Sequence, residues 1–260
     1  MDNVNQTLYI PLYGKSVVSK KGIILRDPRA EEIWEAEGFP LKGKSRSKWL
    51  AYYMAMRAEA FDRWLGEKLD ENPGAVVLHI GCGMDSRILR VGDRAEAWFD
   101  VDFPEVIGQR KRYFEESATY RMISGDLRDG EFLKQVPGGT GIIVMEGVSM
   151  YLKPEELKQA LERIRAHFDR VYLLMDCYSV FAAKASRYKN PIRDVGVTRV
   201  YGLDDPRLLS GGGLEFVREA DMTPADLIGQ LEGVEQSIFR KLYAGRMAGK
   251  MYRLYEFRGV

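Results

Sequence analysis

The sequence predicts an α/β fold: a doubly wound, mostly parallel sheet with helical elements ahead of it and an insert after its fifth strand. Short apolar runs alternate with helical segments between about residues 75 and 177, the rhythm of a parallel sheet covered on both faces. Two of the intervening helices open on proline, Pro104 in PEVIGQRKRYF and Pro154 in PEELKQALERIRAHF, where a missing N–H costs nothing. The first apolar run ends in HIGCG, with glycines one residue apart where a strand turns into a helix.

Residues 1–72 read as helical cap elements. Residues 7 to 46 suit short helices lying over the rest. From Lys48 to Asn72, Leu50, Tyr53, Met54, Phe61, Trp64, Leu65 and Leu69 recur at the spacing of an amphipathic helix. The core, 73–180, holds strands expected at Ala75–Gly81, Ala95–Asp102, Thr119–Asp126, Gly141–Glu146 and Arg170–Cys177. In the Pro154 helix, Leu157, Ala160, Leu161, Ile164 and Phe168 form one stripe. After Tyr178 the rhythm breaks, and 181–210 is expected to be an insert or lid. It resumes in 211–260 with LEFVREAD (214–221), a helix from about Thr223 and a last strand YRLYEFRG (252–259). The 260 residues are thus expected to form one domain.

Lys and Arg total 39 against 38 Asp and Glu, so no net field draws the chain to nucleic acid or an anionic membrane. The start, MDNVNQTLYIPLYGK, lacks the charged and apolar regions of a signal peptide, and no run is long enough to cross a bilayer. Cys82 and Cys177 lie in apolar strand-like segments, which argues against a disulfide framework. A cytoplasmic location is expected.

In a doubly wound sheet the ligand sits beyond the carboxyl ends of the strands, which places HIGCGMD over the crevice. Gly81 permits the turn, and Gly83 lets backbone N–H groups approach a ligand with no Cβ between. A dinucleotide fingerprint would put a third small residue, glycine or alanine, where Ser86 stands, which weakens the case for a nicotinamide cofactor. Asp102, Asp126 and Glu146 end the second, third and fourth strands, an acidic edge that suits an amine-bearing nucleoside and repels a pyrophosphate. That points to S-adenosylmethionine. Arg57 lies among Met54 and Phe61 on an apolar helix face, where a guanidinium needs a partner. It would snorkel out to water, pair with a structural carboxylate, or hold the methionyl carboxylate of the cofactor.

HIGCGMDSRILRV, FDVDFPEV, SGDLRD and MEGVSMYL, in that order, resemble the leucine carboxyl methyltransferase family, and TLYIPLYGKSVVSKKGIILRDPRA resembles its opening. The likeness covers residues 7 to about 179. It implies a Rossmann-like class I methyltransferase sheet. Relatives include O-methyltransferases of bacterial polyketide pathways and a branch that modifies the carboxylate side chain of a tRNA base. By that resemblance Lys15 and Arg57 bind the methionyl carboxylate, Gly81 lines the cofactor, Asp102 takes the ribose, Asp126 and Leu127 the adenine, and Glu146 the amino group. Arg128 and Tyr151 match positions around the acceptor. Asp100 stands where the family commonly has glutamate, and the stretch after Tyr178 is not diagnostic.

A neutral hydroxyl acceptor needs a general base, most often histidine. His79 is expected in the core, hydrogen-bonded to backbone, and His167 at a helix C-terminus away from the crevice. An acceptor that is already anionic needs no base, so a small acidic acceptor is expected, a carboxylate first and a phenol of a polyketide-type pathway second. Lys184, Arg187, Lys189, Arg193 and Arg199 lie in the insert and would guide an anion or form a solvated face. No metal site is expected, since neither cysteines nor histidines pair at ligand spacing. A dehydrogenase and a non-catalytic nucleoside-binding protein are the competing classes. Cofactor identity separates them.

Overall fold

The computed structural model describes residues 8–39, 41, 43–186, 200–244 and 249–260. Helix α1 (Tyr9–Lys21) ends on Gly22 in the left-handed conformation. Asp27 then caps α2 (Pro28–Glu37), accepting the Ala30 N–H at 2.9 Å, with Pro28 in the first helical position. The long helix α3 (Lys48–Glu71) lies under α1, and the two approach closely because Gly14 faces Ala51. A Cβ on Gly14 would stand 3.0 Å from the Ala51 carbonyl oxygen.

Strand β1 (Val76–Ile80) leads through the glycine turn into α4 (Arg87–Val91). Then follow β2 (Ala97–Asp102), α5 (Pro104–Arg110), β3 (Tyr120–Ser124), β4 (Thr140–Met145), α6 (Pro154–His167) and β5 (Arg170–Tyr178). Helix α7 (Val180–Ala185), β6 (Leu214–Ala220), α8 (Ala225–Gly229), α9 (Gly233–Leu242) and β7 (Tyr252–Gly259) complete the order. The strands form one seven-stranded sheet in the order β3-β2-β1-β4-β5-β7-β6. The first five run parallel, while β7 pairs antiparallel with both β5 and β6. Strand order therefore reverses between β1 and β4, the point where such sheets open a crevice.

Alternation along each strand feeds two cores. Val77, Ile142, Val144 and Leu174 pack on the side of α1 and α3, and Leu78, Ile80, Ile143, Met145 and Leu173 on the side of α6. The stripe on α6 is buried as its spacing requires. Strand positions agree with the sequence reading to within two residues, but β3 ends at Ser124 and β4 at Met145, so Asp126 and Glu146 stand beyond their strands and not within them. In the expected insert, 181–210, helix α7 and residues 200–210 are described. Arg187, Lys189, Arg193 and Arg199 lie outside the described residues, so of that basic cluster only Lys184, on α7, is placed. Among the described residues no helix is long and apolar enough to cross a membrane.

Candidate functional site

The carboxyl ends of β1, β2 and β4 open into a cavity of about 640 Å³, roofed by α1 and floored by the glycine turn. All ten expected site residues line it: Lys15, Arg57, Gly81, Gly83, Asp102, Asp126, Leu127, Arg128, Glu146 and Tyr151. They come from α1, α3, the glycine turn and the ends of β2, β3 and β4. Only the sheet brings them together. The volume is that of a small-molecule site.

The turn is built for close approach. Gly81 has φ of 65°, and a Cβ there would stand 2.2 Å from Val148 Cγ2. Gly83 also has positive φ, 52°, but its Cβ would meet Leu8 at an ordinary 3.5 Å. Gly81→Ala should therefore cost more stability in urea denaturation than Gly83→Ala. The left-handed backbone alone costs about 1–2 kcal/mol at either site, and at Gly81 the overlap with a stiff valine adds to it. Beneath the turn, Arg110 donates to the Gly83 carbonyl at 3.1 Å and the Asp85 carbonyl at 2.6 Å, fixing the loop from a fully buried position.

Asp102 sits at the mouth of this turn. Its carboxylate accepts the Gly83 N–H and the Phe103 N–H, each at 2.8 Å, and retains lone pairs for a ligand's hydroxyls. Burial pushes its pKa up to about 6, against the opposing pull of those two N–H groups and of Arg110. Two hydroxyl donors bind the ionised form best. Affinity for a nucleoside should thus be constant above about pH 6 and fall below it as Asp102 takes up a proton, which titrations at pH 5 and pH 7.5 would read.

Asp100 lies one pleat deeper on the same face and does different work. The register pairs His79 with Asp100 across β1 and β2, and the two side chains meet at 3.1 Å. Asp100 also accepts from Trp98 Nε1 at 2.8 Å, from the Tyr120 hydroxyl at 2.6 Å and from Arg110. Burial opposes its ionisation, but Arg110 and these donors outweigh burial and bring its pKa down to about 2. His79 is a core residue, as expected, but not through backbone. Its Nε2 faces Arg87 Nη1 at 3.1 Å. Arg87 can only donate, so Nε2 accepts and Nδ1 carries the proton toward Asp100. Burial lowers the pKa of this ring, and Arg87 lowers it further against the pull of Asp100. His79 is a neutral link in a chain of side chains.

Arg57 does not reach water: it is buried on two carboxylates, the structural pairing the sequence allowed, and it lines the wall of the cavity. Its Nε donates to Glu146 at 3.0 Å and its Nη1 to Asp176 at 2.8 Å. Arg87 Nη2 grips the other oxygen of Glu146 at 2.5 Å. Burial works against the charge on Glu146, yet Arg57 and Arg87 together hold its pKa below the usual range. For Asp176 burial prevails and raises the pKa, because it has Arg57 and the Gly147 N–H but also the Glu146 charge nearby. Lys15 pairs with Asp85 at 2.7 Å, and both are buried. Arg128, by contrast, folds onto Asp126 in a half-open ion pair.

Sequence reasoning did not pick out Asp27, Asp62, Asp85, Asp176, Arg87, Arg90 or Arg110, which complete this buried ionic network. Asp176 carried a signal, a lone carboxylate within the apolar run VYLLMDC. Arg87 and Arg90 carried a weaker one, two arginines a helical turn apart in SRILR. Cys82 lines the cavity, and burial drives its thiol pKa well up, which disfavours the thiolate.

A sheet reversed between β1 and β4, closed by an antiparallel β7 and opening onto a glycine-floored, acid-edged cavity, is that of a class I S-adenosylmethionine-dependent methyltransferase. The leucine carboxyl methyltransferase family matches residues 8–165, and the chain belongs to that family. It is 29% identical over 242 residues to the tetracenomycin polyketide synthesis O-methyltransferase TcmP of Streptomyces glaucescens, covering 91% of this chain and 89% of the relative. It is 31% identical over 182 residues to the S-adenosyl-L-methionine-dependent methyltransferase dpfgK of Gibberella zeae, covering 64% of this chain and 61% of the relative. Among solved structures it resembles the magnesium protoporphyrin IX methyltransferase of Synechocystis PCC 6803 with bound S-adenosylhomocysteine. That likeness, with a TM-score of 0.54 at 16% identity over 90% of this chain and 94% of the other, bears on the fold alone.

Proposed function

We propose that the protein transfers the methyl group of S-adenosylmethionine to an oxygen of a small acidic molecule, a carboxylate first of all, giving a methyl ester. The observation that carries this is the lack of a free histidine base among the described residues. His79 has both ring nitrogens committed, and His167 faces the Val136 carbonyl at 2.9 Å outside the cavity. An ionised acceptor oxygen needs no proton removed.

In this reading the bound cofactor supplies a methyl sulfonium open to in-line displacement. Asp102 holds the ribose, and Asp126 with Leu127 edges the adenine. Glu146, ionised between two arginines, takes the amino group. Arg57 Nη2, not used in the bonds to Glu146 and Asp176, and Lys15, with two of its three donors to spare from Asp85, take the carboxylate. Arg128 and Tyr151 hold the acceptor, the exposed Arg128 by exchanging its half-buried partner Asp126 for the acceptor's anion. With alignment and exclusion of water, no further chemistry is required of the chain. The helices of 1–72 cap the cofactor within a single methyltransferase domain, and the segment after β5 shapes the acceptor end.

A phenol giving a methyl ether is the second reading, favoured by the relative from tetracenomycin polyketide synthesis. Incubation with methyl-labelled cofactor and a panel of aromatic carboxylates and phenols, followed by mild alkali, decides between them. Label released as methanol is expected. Label that stays on the product overturns the ester, and transfer to nitrogen or carbon overturns the oxygen assignment.

A further inference from the structure

We infer that Arg87 is a positioning residue for methyl transfer: from outside the cavity it aims Glu146 at the cofactor's amino group. The inference rests on the assignment of Glu146 to that group.

Arg87 is fully buried and does not line the cavity, so it touches no ligand. Its fork reaches three elements at once. Nε donates to Asp62 on α3 at 2.6 Å, Nη1 to His79 on β1 at 3.1 Å, and Nη2 to Glu146 beyond β4 at 2.5 Å. The ring of Phe61 lies under the guanidinium, 5.4 Å from its carbon. With Arg57 on Oε1 and Arg87 on Oε2, both oxygens of Glu146 are pinned and the carboxylate plane is fixed. Each oxygen keeps a lone pair for an ammonium. A carboxylate on one arginine could rotate about that contact.

Arg87 also sets the charge. The groups that act on Glu146 are Arg57, Arg87 and Lys15, which favour ionisation, and Asp85 and Asp176, which oppose it along with burial. Without Arg87 the balance moves toward the protonated acid, which cannot hold an ammonium as a charged acceptor. Through His79 the same guanidinium is joined to Asp100, on the strand that carries Asp102. The ribose and amino ends of the cavity therefore share one rigid frame.

The test compares three probes in calorimetric titration: S-adenosylhomocysteine, its analogue lacking only the amino group, and 5′-methylthioadenosine, which lacks the whole amino-acid portion. Arg87→Gln keeps an amide donor but removes the charge. It is expected to weaken S-adenosylhomocysteine by about 10- to 100-fold, the worth of a charge-assisted hydrogen bond, and to leave the other two probes almost unchanged. The ratio of S-adenosylhomocysteine to 5′-methylthioadenosine affinity cancels the titration of Asp102, which both probes share. This ratio should be flat from pH 8 to pH 5.5 in the wild type and should fall with falling pH in Arg87→Gln. Arg87→Lys restores charge without the fork, so its ratio should be flat with pH but several-fold lower than wild type. If Arg87→Gln does not fold, Arg87→Lys decides alone.

Equal loss for all three probes, or a ratio unchanged in both variants, would overturn the positioning role. Glu146→Gln separates this from the underlying assignment. If it weakens S-adenosylhomocysteine and the deaminated analogue alike, Glu146 does not take the amino group and the assignment itself fails. If it is selective and the Arg87 variants are not, only the role of Arg87 fails.

Discussion

Arg57→Ala is expected to abolish measurable cofactor binding and to lower the free energy of unfolding by about 3–5 kcal/mol, the cost of breaking a buried ion pair from one side. Two carboxylates depend on this guanidinium, Glu146 and Asp176, and both are buried. Read from sequence, Arg57 is a cofactor ligand or a structural cation. In the folded chain it is a structural cation at the wall of the cavity. Chemical denaturation with and without S-adenosylhomocysteine reads both effects. A variant of wild-type stability would mean that Glu146 and Asp176 find other partners. A variant that still gains stability from the ligand would mean that Arg57 does not bind it.

Asp100→Ala and Asp102→Ala, two residues apart on one face of β2, are expected to fail in opposite ways. Removing Asp100 strands Arg110, which is fully buried, along with the Trp98, Tyr120 and His79 donors. The loss should again be about 3–5 kcal/mol of stability, with cofactor binding reduced only as far as the fold is. Asp102→Ala removes a carboxylate whose burial already costs it, as its pKa of about 6 records, and frees two N–H groups at the cavity. Stability should change by no more than about 1–2 kcal/mol, while nucleoside binding is lost. The same loss from both variants, in denaturation and in titration, would refute the division of labour along the strand.

That division shows how far sequence reached. Alternation located β2 and put both aspartates on one side of it, but it carries no depth. About 6.6 Å of strand rise separates a carboxylate at the cavity from one in the core. Strands and the proline-started helices were legible because their signals are local. So was the cavity edge, since the ends of parallel strands must lie together once the sheet order reverses. The ionic network was not legible, because its members span positions 27 to 176 and meet only in three dimensions. His79 illustrates the limit. Its burial follows from its strand, whereas its partners follow from the register with Asp100 and from a helix that folds back over the turn.

A crystal structure with S-adenosylhomocysteine is the most direct measurement on the cavity. The expected complex has the ribose hydroxyls on Asp102, the adenine beside Asp126 and Leu127, the amino group within hydrogen-bond reach of Glu146, and the carboxylate between Lys15 and Arg57. A ligand bound elsewhere, or a nucleoside turned so that Glu146 meets no amino group, would contradict it.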